Sequence, residues 1–228
     1  MINEGVFPDG QAYIVRRLTE TDISAVLHLQ DLVVRYLNDK TKLQPLSEEE
    51  YRSITTGNGL LIGVFVAEKL ISFRALVVPD TLEEHLGIDA GLSEAELGFV
   101  IYQDISNVHP DWRGLSLQKR MAAWIMAELA KSEHPFKYVC STVAPFNIPS
   151  LKDKFAQGME IVALKPKYGG HLRYIFCKEI EENSTKRDGE PILCAMADTK
   201  GQQKLLAQGY RGQKLVVDED VYYVEYRK

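Results

Sequence analysis

Only three cysteines occur among the 228 residues, Cys140, Cys177 and Cys194, far apart in the chain, with no Cys-x-x-Cys and no His at metal-ligand spacing. So sparse and odd a count argues against a disulfide framework, implies no metal, and suits a reducing compartment. Basic charge is not in excess either: 27 Lys and Arg against 32 Asp and Glu leave −5. That argues against a dedicated nucleic-acid binder with a basic face, although a local basic site for a small anion stays open. No apolar run approaches the roughly 20 residues that span a bilayer. The strongest, Leu60 to Ala67, stops at Glu68-Lys69. The opening residues Met1-Ile2-Asn3-Glu4-Gly5 lack the charged start and apolar stretch of a signal peptide. The expectation is a soluble cytoplasmic protein with no membrane and no nucleic-acid partner. What is present is 45% apolar and 26% charged, an ordinary globular balance that buries a core in one or two domains.

Ala12 to Arg16 reads as a strand, and Thr19-Glu20-Thr21-Asp22 as a capping box opening a helix through Ile23, Val26, Leu27, Val33 and Leu37. Ser47-Glu48-Glu49-Glu50 offers a second helix start of the same kind. Two apolar runs, Leu60 to Ala67 and Leu70 to Val78, make a hairpin around Glu68-Lys69. Residues 79 to 95 read as an irregular acidic excursion, and Glu96 to Val108 as one long strand with a break near Ser106-Asn107. Leu117, Met121, Ile125 and Leu129 recur at spacing four, so a helix runs to about Lys131, with Trp124, Ile125 and Leu129 as core. Tyr138 to Val143 is a strand, and Asn147-Ile148-Pro149-Ser150 opens a helix with Asn147 as N-cap and Gly158 as its stop. Ile161 to Leu164 and Leu172 to Ile180 form a hairpin around Lys167-Tyr168-Gly169-Gly170.

Residues 1–180 therefore make the main domain, and 181–228 an extension: a polar linker from Glu181 to Glu190, a strand, a helix and two strands. The extension echoes what precedes it. Phe155-Ala156-Gln157-Gly158-Met159 and Leu206-Ala207-Gln208-Gly209-Tyr210 lie 51 residues apart, each followed by two strand-like runs. That is either coincidence around a common helix stop or a partial duplication.

Chemistry concentrates at Val108-His109-Pro110-Asp111-Trp112-Arg113-Gly114-Leu115-Ser116-Leu117-Gln118, between a strand and a helix. Such a turn gathers unpaired backbone N–H groups at the positive end of a helix, a site for a pyrophosphate. Arg113, Lys119 and Arg120 raise the local potential. Here the sequence resembles the GNAT superfamily of acetyl-CoA-dependent N-acetyltransferases. The family's phosphate loop reads Arg/Gln-x-x-Gly-x-Gly/Ala, commonly after Val-x-Pro. This chain has Val108-His109-Pro110 and then the loop Arg113, Gly114, Leu115, Ser116, Leu117, Gln118. The family's later motif, Asn-x-x-Ser/Ala with a Gly eleven residues after the Asn, stands here as Asn147, Ser150 and Gly158. Element order matches from about Ala12 to Ile180.

The resemblance implies an α/β fold with a mixed α+β sheet, the GNAT acyl-CoA N-acyltransferase fold, here with a small C-terminal extension. It implies acetyl-CoA as cosubstrate and direct transfer to a primary amine of a small molecule or protein, through a tetrahedral intermediate. It places oxyanion donors on the strand near Asn107 and Val108, and the cofactor on the loop and on Asn147 and Ser150. Ser116 and Gln118 depart from the family's glycines, and Lys154 stands where the family often has a Tyr acid. A CoA-binding sensor or scaffold without turnover is therefore the competing reading, and a fold relative acting through protein contacts a third.

An amine of pKa near 10.4 needs a base. Asp104 is the first candidate, a surface ion pair being its alternative, and Glu96 the second. Tyr168, at a hairpin tip beside two glycines, is the candidate acid, or else a solvated turn residue. Arg173 holds an acidic substrate group or makes a cross-strand ion pair. His109 either titrates usefully near neutrality or is turn surface. Tyr222, Tyr223 and Tyr226 of the extension cover a sheet edge or build a homodimer contact.

Overall fold

A computed structural model describes residues 1–37, 39–181, 187 and 189–228. In chain order its elements are β1 (Asn3–Val6), β2 (Ala12–Arg17), α1 (Ile23–Arg35), α2 (Glu48–Ser53), β3 (Gly59–Val66), β4 (Lys69–Val77), α3 (Leu86–Asp89), α4 (Glu94–Leu97) and β5 (Val100–Val108). There follow α5 (Leu117–Leu129), β6 (Tyr138–Val143), α6 (Ile148–Ala156), β7 (Glu160–Lys167), β8 (His171–Glu179), β9 (Ile192–Ala195), α7 (Thr199–Ala207), β10 (Arg211–Asp218) and β11 (Val221–Arg227). Strands and helices thus mix as an α/β chain of the expected class. Contacts divide it into two compact units: residues 1–78 with 102–135, and residues 79–101 with 136–228. No helix among the described residues is long and apolar enough to cross a membrane.

In the first unit, antiparallel pairings run β1-β2-β3-β4-β5. Tyr13 and Val15 of β2 are buried while Ala12 and Ile14 are exposed, the period-two signature of a half-covered strand. β1, too polar to be read from its sequence, pairs with β2. Helix α1 is fixed at its start by the expected box, in which the Thr19 N–H donates to Asp22 Oδ2 at 2.9 Å. Its Ile23, Val26, Leu29 and Val33 then close over Leu61, Phe65, Phe73 and Ile105 of the sheet. Each such side chain contributes about 1.5 to 3 kcal/mol by leaving water. The Ser47–Glu50 box starts α2 as expected. The β3–β4 turn falls on Ala67 and Glu68, both with positive φ, one residue before the expected pair.

β5 departs from its expected course. It begins at Val100, and Glu96 lies instead in α4, accepting from the Ser93 N–H at 2.8 Å. Nor is there a break at Ser106-Asn107. The irregularity is a bulge earlier in the strand: between Arg74↔Ser106 and Leu76↔Gln103, Asp104 and Ile105 together oppose Ala75 alone. The expected irregular excursion contains two one-turn helices, α3 and α4.

The second unit runs β6-β8-β7-β10-β11-β9, again with antiparallel pairings. The extension therefore continues this sheet from β7 through Gly212↔Ile161. It also repeats the preceding βαββ order. Helices α6 and α7 are nine residues each and begin 51 residues apart, as do β7 and β10. Asn147 and Asp198 are equivalent side-chain N-caps, and Gly158 and Gly209 both take the left-handed conformation at the helix stop. Tyr226 is buried inside this unit, its hydroxyl donating to Gln202 Oε1 at 2.9 Å. Residues 182–186 and 188 of the expected linker lie outside the described residues.

Candidate active site

The bulge on β5 sets the faces of its side chains. Arg74 and Gln103, which flank it in register, are joined on one face, where the Arg74 Nη2 donates to Gln103 Oε1 at 2.7 Å. Ile105 packs instead with Tyr51 and Phe73 beneath α1 and α2. A bulge re-aims side chains in this way. The neighbouring Asp104 is exposed. Its charge, after burial, is the next largest cause holding the Tyr51 hydroxyl far above its ordinary pKa. That hydroxyl donates to Gln30 Oε1 at 2.6 Å, and Gln30 in turn holds the Leu46 backbone at 2.8 and 3.0 Å. The segment leading into α2 is thereby tied to α1.

Farther along β5, the Asn107 carbonyl accepts from the Ser72 hydroxyl at 2.7 Å. The Asn107 side chain is buried, and its Nδ2 has no hydrogen-bond partner among the described residues. Val108 ends the strand. His109 is not turn surface: only 8% of it is exposed. Its Nδ1 accepts from the Asp111 N–H at 3.3 Å, its Nε2 lies 3.3 Å from Lys69 Nζ, and burial with the Lys69 charge lowers its pKa.

The loop then tightens through a 3₁₀ turn at Pro110–Trp112, where the Arg113 N–H donates to the Pro110 carbonyl at 3.3 Å. Arg113 and Gly114 are exposed, and Gly114 has φ +87° with nothing within 4 Å of where a Cβ would stand. Leu115 is half-buried. Ser116 is the N-cap of α5 in the left-handed region, φ 55° and ψ 27°. The first helical bond of α5 runs from the Arg120 N–H to the Ser116 carbonyl at 3.1 Å. The N–H groups of Leu117, Gln118 and Lys119 therefore precede any intrahelical partner, at the positive end of a 13-residue helix. Leu117 turns its side chain into the core, which leaves its backbone to face the loop. Arg120 turns elsewhere. Its guanidinium stacks 4.6 Å from the Tyr13 ring and 4.9 Å from the Trp124 ring, and it donates to the Tyr13 hydroxyl.

Arg74 is the residue that sequence reasoning missed. It is 1% exposed, and its Nη1 donates to the Gln118 carbonyl at 3.0 Å while Nη2 holds Gln103. One guanidinium thus ties β4, β5 and the first turn of α5 together. The signal was an arginine, the one charged residue in the strand-like run Leu70 to Val78.

The other candidates belong to the second unit. Asn147 caps α6 as expected, its Oδ1 accepting from the Ser150 N–H at 3.4 Å. Lys154 is buried, its Nζ 3.9 Å from Asp153 Oδ2. Tyr168 sits at the β7–β8 tip with φ 50°. Its hydroxyl shares a 3.2 Å hydrogen bond with Thr142 Oγ1, and the Arg173 guanidinium lies 5.9 Å from its ring. Glu96 fits a base poorly. It accepts from the Tyr138 hydroxyl at 2.6 Å, and its bonds from Ser93 and Tyr138 hold its carboxyl down at about 2. The acidic excursion is also partly neutralised from within, since the buried Asp89 carboxylate pairs with Lys167 at 2.9 Å and with Lys165. Asp104, Asn107, Val108 and Arg113 to Gln118 thus fall in the first unit, and Asn147, Ser150 and Tyr168 in the second.

No family model and no curated protein matches the sequence. Solved structures do match the fold. A Salmonella typhimurium protein assigned as an acetyltransferase and solved with its cofactor acetyl-CoA has a TM-score of 0.56 at 11% identity, over 76% of this chain and 96% of that one. The ribosomal-protein-S18-alanine N-acetyltransferase of Escherichia coli gives 0.54 at 14% identity, over 76% and 97%. Diaminobutyrate acetyltransferase from Paenibacillus lautus, in complex with L-2,4-diaminobutyric acid and coenzyme A, gives 0.53 at 13% identity, over 78% and 100%. At these identities the likeness establishes the fold, which is that of the GNAT acetyltransferases.

Proposed function

We propose that this chain, having the fold of the GNAT acetyltransferases, transfers an acetyl group from acetyl-CoA to a primary amine of a small molecule or protein. The observation that carries the reading is the turn into α5. Three N–H groups without intrahelical partners, a bare Gly114 and an exposed Arg113 meet at a helix N-terminus, and that donor set suits a pyrophosphate. Acetyl-CoA, when bound, supplies the activated thioester.

The chain's own residues do the rest. Arg113 and the loop from Gly114 to Gln118 bind the phosphates, with Arg74 fixing the Gln118 carbonyl so that the first turn keeps its aim. The backbone at Asn107 and Val108 faces the acyl carbonyl and stabilises negative charge developing there. Asn147 and Ser150 line the arm of the cofactor. Asp104, exposed beside the bulge, receives the proton of the attacking ammonium, directly or through water. Tyr168 holds the proton that the departing sulfur takes up.

A second reading, cofactor binding without turnover, is favoured by Ser116 and by the burial of Lys154 where the family often keeps a tyrosine. One experiment separates them. Thermal unfolding with millimolar acetyl-CoA, CoA and ATP is followed by an amine screen that reads free thiol. A ligand at a hundred times its Kd stabilises by about 2.7 kcal/mol, a shift of several degrees. A shift with acetyl-CoA and CoA plus amine-dependent thiol release supports transfer. A shift without release supports the second reading, and no shift overturns both. Arg113→Ala is expected to weaken acetyl-CoA binding by about 1 to 3 kcal/mol in calorimetric titration. Unchanged affinity would mean that the loop is not the phosphate site.

A further inference from the structure

The three thiols, distant in the sequence, are not equivalent in the fold. Cys140 of β6 and Cys177 of β8 are direct partners in the antiparallel ladder. Cys140 is fully buried and Cys177 partly exposed, and the Cys140 S–H donates to Cys177 Sγ at 3.5 Å. Directly opposed residues of antiparallel strands have Cα atoms about 4.5 to 5.5 Å apart, inside the span of about 4.4 to 6.8 Å that a disulfide bridges. Bond formation brings the two sulfurs from 3.5 Å to the bond length of about 2.05 Å. The neighbouring pairs Val139↔Lys178 and Ser141↔Phe176 continue the ladder on either side, so the backbone stays in register while the sulfurs approach.

The two sulfurs also differ in chemistry. The hydrogen bond from Cys140 lowers the pKa of Cys177, while donating that bond and lying buried raise that of Cys140. Cys177, the more exposed of the two and the acceptor of that bond, is the attacking thiolate and Cys140 the resolving thiol. Cys194 supplies the contrast: its Sγ lies 3.9 and 4.0 Å from the Asp198 carbonyl and carboxylate, and burial with that negative charge raises its pKa.

We propose that Cys140 and Cys177 are an oxidation site, a dithiol that a peroxide converts to a disulfide between β6 and β8. The Cys177 thiolate attacks one peroxide oxygen and breaks the O–O bond, giving a sulfenic acid and, with hydrogen peroxide, hydroxide. The Cys140 thiol then attacks the Cys177 sulfur, forming the S–S bond and releasing water. In sum, two thiols lose two protons and two electrons, and hydrogen peroxide is reduced to two waters. The site bears on the candidate chemistry through its elements, since β6 leads to the turn holding Asn147 and β8 returns from Tyr168.

The test is mass spectrometry of the full chain after equimolar hydrogen peroxide, then digestion without reductant. The expected result is a loss of two hydrogens, one Cys140–Cys177 linked peptide pair, a free Cys194 thiol, and full reversal by dithiothreitol. In Cys140→Ser, oxidation is expected to stop at a Cys177 sulfenic acid that dimedone traps. In Cys177→Ser, Cys140 is expected to remain a thiol. Three free thiols after treatment, a link through Cys194, or Cys177 passing to sulfinic acid in the unaltered chain would each overturn the proposal.

Discussion

Position 116 shows what a motif departure means physically. The loop needs a left-handed residue there, and Ser116 supplies it at φ 55°. Glycine takes that conformation freely, whereas an L side chain pays about 1 to 2 kcal/mol. The departure was legible in the sequence, but its backbone cause was not, because φ is set by the turn. Ser116→Gly relieves that strain and loses about 0.4 to 1 kcal/mol through a freer unfolded chain, so its stability is expected to stay within about 1 kcal/mol of the original. Ser116→Val places a β-branched residue, for which positive φ is a genuine outlier, in the same well and is expected to lose on the order of 1 kcal/mol beyond what serine already bears; urea unfolding reads both. A stable Ser116→Val would refute the strained cap.

Histidines set a pH dependence at the same scale. Burial, then Lys167, hold His85 below its ordinary pKa, the Asp89 carboxylate opposing; burial and Lys69 do the same for His109. The Nδ1 of each accepts a backbone N–H, from Gly87 at 3.0 Å and from Asp111 at 3.3 Å, so protonation there breaks a bond. The unfolded chain, with histidine near pKa 6.5, binds those protons first as pH falls, and stability drops from about 6.5 downward. Asp22 and Glu128, held low by Arg16 and by Lys131 respectively, lose their contribution only below about 4.5. The double variant His85→Asn with His109→Asn is accordingly expected to flatten the fall of Tm between about pH 7 and 5.5. An unaltered slope would place the titration elsewhere.

Among the elements, those built on local signals were legible and those built on a partner were not. The Thr19 and Ser47 boxes and the Asn147 cap stand where their side chains put them. Ser93-Glu94-Ala95-Glu96 carries the same box signature, and reading it would have kept Glu96 out of β5. The bulge at Asp104 and Ile105 has no such signature, because two residues against one is a property of the pairing with β4. β1 is polar and short, and only its ladder with β2 defines it. Arg74 joins these elements. Arg74→Met keeps much of the volume but leaves the Gln118 carbonyl and Gln103 Oε1 without their donor. The expected loss is about 3 kcal/mol, with weaker acetyl-CoA binding than that loss alone explains. Arg74→Lys is expected to restore neither observable, because one ammonium cannot copy the guanidinium fork. Unaltered binding in a folded Arg74→Met protein would deny Arg74 its positioning role.

Across the whole chain, β6, α6, β7 and β8 form a βαββ motif that β9, α7, β10 and β11 echo. The 51-residue spacing seen in one pentapeptide extends to caps, helices, stops and strands. Sequence alone left coincidence open, since a helix stop at Gln-Gly is common and the repeated core residues differ. What the two halves share in the fold is a buried polar join. Gln202 of α7 is fully buried and accepts from Tyr174 of β8 at 2.7 Å and from Tyr226 of β11 at 2.9 Å, while its Nε2 donates to the Met196 carbonyl at 2.9 Å. Gln202→Ala strands two buried phenols and a carbonyl, and about 3 kcal/mol of stability is expected to go. For a chain of this length that is a Tm lower by about 6 to 12 °C in calorimetry. Gln208→Ala, at the exposed C-cap of the same helix, is expected to stay within about 0.5 kcal/mol. Deletion of residues 185–228 removes Gln202 and Tyr226 from the join together with the strands beyond β7, and a loss larger than that of Gln202→Ala is expected. If instead the shortened chain melts where the full chain does, the extension is an appendage and the βαββ motif before it folds without its echo.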